Sequence, residues 1–337
     1  MKTNVLIFLS ALATLSCKEE VATPDLDIKS SLNAVSHSHT ATWVRKADIS
    51  NIGRAEAVGF SIGHKGYIGT GRSSINNFTY LKDFWEYDPT FDTWTQKSDF
   101  GGSARGHAVA FSIGNKGYVG TGSTQTGVFD DFWEYSASKN TWQRMADVPG
   151  GARSGAVGFS IASKGYLGTG GPEDFVYLKD FYEYDPNADE WTRLTDLGGD
   201  ARTLAVGFSL QGKGYIGTGV GPAGSPAGIL RDLWEYDRAK DRWVERASLP
   251  LRTAAAVGFQ IQNEGFIGTG GAENARSDFY KYNPVKNTWT RITDFPGGER
   301  VSAVGFSIGP KGYVGTGYLP PASPEDQKDF WELNPNK

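Results

Sequence analysis

Three series of residues that keep step along the chain predict an all-β fold, a six-bladed β-propeller with four antiparallel strands per blade. A Gly-[Tyr/Phe]-aliphatic-Gly-Thr-Gly core begins at Gly66, Gly117, Gly165, Gly214, Gly265 and Gly312. An Asp-[Phe/Leu]-[Trp/Tyr] core begins at Asp83, Asp131, Asp180, Asp232, Asp278 and Asp329. A tryptophan follows at Trp43, Trp94, Trp142, Trp191, Trp243 and Trp289, in steps of 46 to 52 residues. Repeats of that length mark a solenoid or a propeller.

The chain has 337 residues, 39% of them hydrophobic and 13% aromatic, with 44 glycines. This suits many short strands joined by tight turns, and six copies of one unit make a single array over residues 41–337. The net charge is -4 and no Lys/Arg block interleaves with aromatics, so no nucleic-acid partner is expected. Residues 1–16 read as a signal peptide: Met1-Lys2, then an apolar run over 5–15 that is too short to span a bilayer. Cys17 is the only cysteine, so no intrachain disulfide and no thiolate metal cluster can form. Thr14-Leu15-Ser16-Cys17 resembles a bacterial lipobox, which implies that Cys17 is lipidated and anchors the chain in a membrane. Lys18-Glu19-Glu20 looks like the charged export tag of some Bacteroidetes lipoproteins, a resemblance that implies a place at the outer membrane or cell surface. Residues 17–40 lack periodicity and read as a flexible tether. Its His37 and His39 lack the further ligands that a metal site needs.

Within a copy the period is two. Residues 156–161 alternate bulky and small side chains, which makes them a strand whose small face can crowd toward an axis. Residues 162–165 read as a turn, 166–170 as the second strand, 180–184 as the third and 185–187 as the next turn, with the fourth strand beginning at Trp191. The sixth copy ends after its third strand, 329–333, whereas 41–45 form a fourth strand with no predecessors. The N-terminal strand is therefore expected to complete the last blade.

Gly-Thr-Gly after an aromatic-aliphatic strand, then Glu-Tyr-Asp-Pro, then Trp about seven residues on, resembles the kelch repeat over residues 41–337. Leu333-Asn334 departs from the Tyr-Asp of that pattern. The resemblance implies a kelch-type propeller, and kelch-like propellers include a periplasmic sialic acid epimerase and the copper enzyme galactose oxidase. The copper site needs a Cys-Tyr crosslink and two His ligands, but Cys17 lies outside the repeats and only His64 and His107 lie within them. No Asp-x-Asp-x-Asp calcium loop is present, and no cofactor is expected.

Strand direction places the connections from second to third strand on one face, together with the returns from each fourth strand to the next copy. These long connections (72–82, 123–130, 171–179, 220–231, 271–277 and 318–328) vary in length and content, as specificity-bearing loops do. Tyr80, Phe129, Phe175, Tyr177 and Tyr318 put aromatics there, suited to stacking on sugar rings or gripping a peptide, or to covering the loops' own bases. Each return carries an arginine: Arg54, Arg105, Arg153, Arg202, Arg252 and Arg300. Six guanidinium groups around a channel mouth would attract a carboxylate or sulfate. An Asp equally regular at the start of the third strand, and another five residues past most of the tryptophans, point instead to a structural ion-pair ring. Two residues after the arginine stand Glu56, His107, Gly155, Leu204, Ala254 and Ser302. Glu56 and His107 break the pattern in neighbouring blades and make a candidate general base and acid.

The expected function is a surface- or envelope-anchored binding module that recognises a glycan or protein through this loop face. The alternative is an exported sugar epimerase or mutarotase, resembling the kelch-type enzyme, with Glu56 and His107 as its acid–base pair and the arginines as a carboxylate clamp.

Overall fold

In the innermost strand of every blade three large apolar side chains point one way and small ones, save Gln260 in blade 5, the other, and burial alternates accordingly in all six: Val58–Ile62, Val109–Ile113, Val157–Ile161, Val206–Leu210, Val257–Ile261 and Val304–Ile308. The computed structural model describes residues 41–50, 52–74, 78–172, 176–222, 228–319 and 326–335. The leader, Cys17, the tether with His37 and His39, and Phe175 lie outside the described residues.

Blade 3 shows the common plan, with Val157–Ile161, Lys164–Gly168, Phe181–Asp185 and Glu190–Leu194 paired antiparallel in that order. The second strand starts two residues before the sequence-based boundary. Ile161 faces Lys164, which leaves only Ala162-Ser163 as the turn. It also ends earlier, because Thr169 and Gly170 take φ values of +63° and +81° and turn the chain out of the ladder. The first long connection contains a short pairing the sequence did not suggest, Arg72–Ser73 against Thr79–Tyr80.

Closure follows the expected route. Thr42–Lys46 pairs with Phe330–Asn334, with Trp43 opposite Leu333, so blade 6 is built from both ends of the described chain.

The core lies between blades. Val109, Phe111, Ile113 and Phe132 of blade 2 pack with Leu167, Tyr184 and Trp191 of blade 3. Gly158 and Gly165 make this approach possible, because a Cβ on either would collide with Val109 or the Phe111 ring. The outer tryptophan clips the blades together: Trp191 Nε1 donates to the Ala146 carbonyl (3.0 Å), while Asp189 accepts from the Ala146 N–H (2.9 Å) and the Tyr184 hydroxyl (2.8 Å). Asp92, Asn140, Asp241 and Asn287 take the Asp189 role in blades 1, 2, 4 and 5.

Blade 6 has no such turn residue, since its third and fourth strands come from distant parts of the sequence. Leu333 stands where the clip's tyrosine would be and needs no acceptor, which accounts for the departure from Tyr-Asp. Trp43 keeps the edge-on packing of the other outer tryptophans, against Phe279 and Phe295 at 5.1 Å, but its Nε1 has no hydrogen-bond partner among the described residues.

Removing residues 41–48 strips blade 6 of its outer strand and of one largely buried indole, worth about 4–6 kcal/mol as an upper bound. The melting temperature is expected to fall severely, and a melt equal to that of the parent chain would sink this mode of closure.

Candidate functional site

Where each return enters its innermost strand, one residue adopts a left-handed backbone: Glu56, His107, Gly155, Leu204, Ala255 and Ser302, with φ between +51° and +64°. Each N–H donates to the carbonyl of the equivalent residue in the preceding blade, at 2.9 to 3.1 Å, and the circle closes from Glu56 N–H to Ser302. Only one of the six is glycine, so this hydrogen-bonded ring holds five side-chain-bearing residues in a conformation they rarely adopt. Below it the channel is walled by alanines, among them Ala57, Ala108 and Ala156. In the fifth blade the mouth residue is Ala255 and not Ala254, because the return there is one residue out of step.

The arginine ring is internal. Arg54, Arg105, Arg153, Arg202 and Arg300 are fully buried. Each grips the Asp at the start of its blade's third strand with two nitrogens: Asp83, Asp131, Asp180, Asp232 and Asp329, respectively. A third contact runs from Nη1 to the carbonyl of the Gly-Thr-Gly threonine, as Arg153 to Thr169 at 3.2 Å. Burial pushes the Asp83 and Asp131 carboxyls up, but Arg54 and Arg105 more than offset it and hold both below the usual carboxylate range. All five guanidinium groups are fully buried, so none is presented to an anion at the mouth, although Arg54 Nε and Arg300 Nε have no hydrogen-bond partner among the described residues; the five are corrected from ligand candidates to scaffold. The second Asp series stands apart from them: Asp48, Asp147, Asp196 and Asp294 meet arginines of the fourth strands three residues earlier.

Blade 5 differs in a coordinated way. Thr253 occupies the buried arginine position and its Oγ1 donates to the Thr269 carbonyl, while Asp278 is met by Arg291 and Arg276. Arg252 is displaced outward and half-buried, with Nη1 on the Ile229 carbonyl at 2.8 Å.

Glu56 and His107 do come together, with Nε2 3.3 Å from Oε1. Glu56 also accepts from Arg72 Nε, and Tyr80 stands close by. Burial raises the Glu56 pKa, yet the His107 and Arg72 contacts outweigh it and keep the carboxyl below its ordinary range. Asp326 exchanges hydrogen bonds with Ser74 on the neighbouring connection, and burial pushes its carboxyl up. Arg72 escaped the sequence reading, although a charged residue directly after Gly-Thr-Gly occurs in that copy alone.

The aromatic candidates have separate roles. Phe129 lies over Arg105, 4.0 Å from guanidinium carbon to ring centroid, and covers its own loop base. Tyr318 and Phe78 flank Arg72 at 6.0 and 4.7 Å. Tyr177 lines a cleft of about 730 Å³ over blades 2 to 4, between the connections that carry Gln125, Tyr177 and Val220, with His107 at its inner end. Nothing in the sequence pointed to that cleft, because its walls come from three connections some 50 residues apart. Among the described residues no group of three or more His, Cys, Asp or Glu is placed to hold a metal ion.

The class that this architecture defines is the six-bladed β-propeller. No protein-family model matches the chain, and no curated protein matches it. Among solved structures, the one titled "Structure of YjhT" superposes with a TM-score of 0.71, covering 83% of this chain and 95% of that one at 15% identity. The likeness is one of fold.

Arg153→Ala leaves Asp180 without its buried cation and is expected to lower the unfolding free energy by about 3–5 kcal/mol in a denaturant titration. Arg252→Ala loses one hydrogen bond and should cost about 1 kcal/mol; equal losses would contradict the division into scaffold and displaced arginine. Because the folded pKa of Glu56 is depressed, its ionic contacts add stability above the unfolded value of about 4.3. That contribution is lost as pH falls through the folded value. The stability gap between the parent and Glu56→Gln should therefore be open at neutral pH and close in acid, and a gap that widens below about pH 4 would contradict the assignment.

Proposed function

We propose that the protein is a binding module held at the cell envelope through a lipidated Cys17, taking a glycan or protein ligand on the long-connection face. The observation that supports this reading is the cleft over blades 2 to 4: it breaks the sixfold symmetry, opens on the face with the variable connections, and has a half-buried aromatic, Tyr177, in its wall. The resemblance of the repeat to kelch propellers agrees with a scaffold whose chemistry sits in its loops.

A second reading, a sugar epimerase or mutarotase, is favoured by one observation, the Glu56–His107 contact of 3.3 Å. Against it, the Glu56 side chain is 10% exposed and its low pKa makes it a weak base.

One experiment separates them. The full chain is screened on an array of glycans and envelope proteins, and anomeric exchange of any bound sugar is followed by NMR. The module reading expects binding that weakens in Tyr177→Ala and survives in Glu56→Gln, with no acceleration of exchange. Exchange that is catalysed by the parent and abolished in Glu56→Gln would overturn it. Phase separation in detergent tests the anchor: the parent should partition with the detergent and Cys17→Ala with the water.

A further inference from the structure

Resting on the binding-module reading, we infer that the ligand of the cleft over blades 2 to 4 is an uncharged oligosaccharide. The described lining contains no Lys, Arg, Asp or Glu. Its side-chain polar groups are the hydroxyls of Ser123, Thr124, Thr126, Ser154 and Thr203, the Gln125 amide and the His107 imidazole, while Pro172, Val176, Tyr177 and Leu204 supply apolar surface. A pyranose presents the same alternation, a C–H face and a rim of hydroxyls, and hydroxyl and amide side chains can both donate to and accept from that rim.

An acidic ligand meets no counter-charge here. Five of the return arginines are closed off by aspartates, and Arg72 is engaged by Glu56 in a different sector of the face. His107, the one basic group in the lining, has Nε2 turned to Glu56. A carboxylate or sulfate buried in this cleft would lose its hydration without a partner.

Peptide recognition by strand addition is equally unsupported by the backbone. Ser123 is paired both ways with Gly106, Ser154 with Gly171, and Thr203 with Val220, so the walls offer no open strand edge along these segments. A cleft of about 730 Å³ falls inside the usual range of roughly 300–1,000 Å³ for small-ligand sites and has room for more than one sugar ring.

The test is calorimetric titration of the full chain, in detergent, with maltotriose, cellotriose, xylotriose, mannotriose and chitotriose, and in parallel with sialyllactose and a galacturonate trimer. At least one neutral trimer is expected to bind. Its Kd should rise about tenfold or more in Tyr177→Ala, be restored in Tyr177→Phe, and stay within about twofold in Arg252→Ala. It should also be indifferent to salt between about 50 and 500 mM, since no ion pair is screened. Binding of the acidic trimers alone overturns the inference, as does neutral binding that ignores both Tyr177→Ala and Gln125→Ala. If no sugar binds but an arrayed envelope protein does, with Tyr177→Ala weakening it, the sugar class is wrong and the loop-face reading stands. If nothing binds in a Tyr177-dependent way, both fall.

Discussion

A four-stranded blade is too thin to bury both of its faces, so every apolar side chain it displays has to be covered by a neighbour, and the last blade has to be covered by the first. That requirement organises the molecule. It explains why the large residues of each innermost strand project toward the next blade, why Gly158 and Gly165 must lack side chains opposite Phe111, and why five of the six outer tryptophans reach back to the preceding blade's backbone. It also explains why the first strand among the described residues completes the last blade. A ring sealed by a strand from the other end of the sequence cannot open at that seam without breaking a whole ladder of pairs.

Burial of five arginines follows from the same crowding. The returns run beneath the long connections, where the threonine carbonyl of each Gly-Thr-Gly turn and the aspartate of the third strand are left facing inward. A guanidinium satisfies both at once, which an ammonium does not match in geometry. Blade 5 shows that the set changes together. With Thr253 in the arginine's place, Asp278 recruits Arg291; with Phe266 in place of a tyrosine such as Tyr67, the acid it would bond, Glu86 in blade 1, becomes Lys281 and pairs with Glu264. Compensation of this kind keeps buried charges paired.

Against a scaffold so regular, departures from symmetry carry the functional information. The face with the long connections holds a charged cluster, in which Glu56 bridges Arg72 and His107, and beside it a cleft that His107 shares and that opens at Tyr177. The left-handed ring at the mouth lends side chains to both, but its backbone hydrogen bonds are shared by all six blades and hold the inner strands at a fixed spacing.

Fold class, blade number, strand order and the closing strand were all readable from residues 41–337, because propeller packing demands the same small, aromatic and turn residues at the same place in every blade. The in-step Arg and Asp already hinted at pairing. The one-residue slip in blade 5 shows in the spacing, since Arg252 stands four residues before Ala256-Val257-Gly258-Phe259 where the other copies keep three; that it puts Thr253 in the buried position and Ala255 at the mouth was not readable, because packing places residues by backbone course. Nor were the grip of Arg72 on Glu56 and the cleft around Tyr177. Those depend on how connections from separate blades lean over one another, and that is decided by distances between segments the sequence keeps far apart.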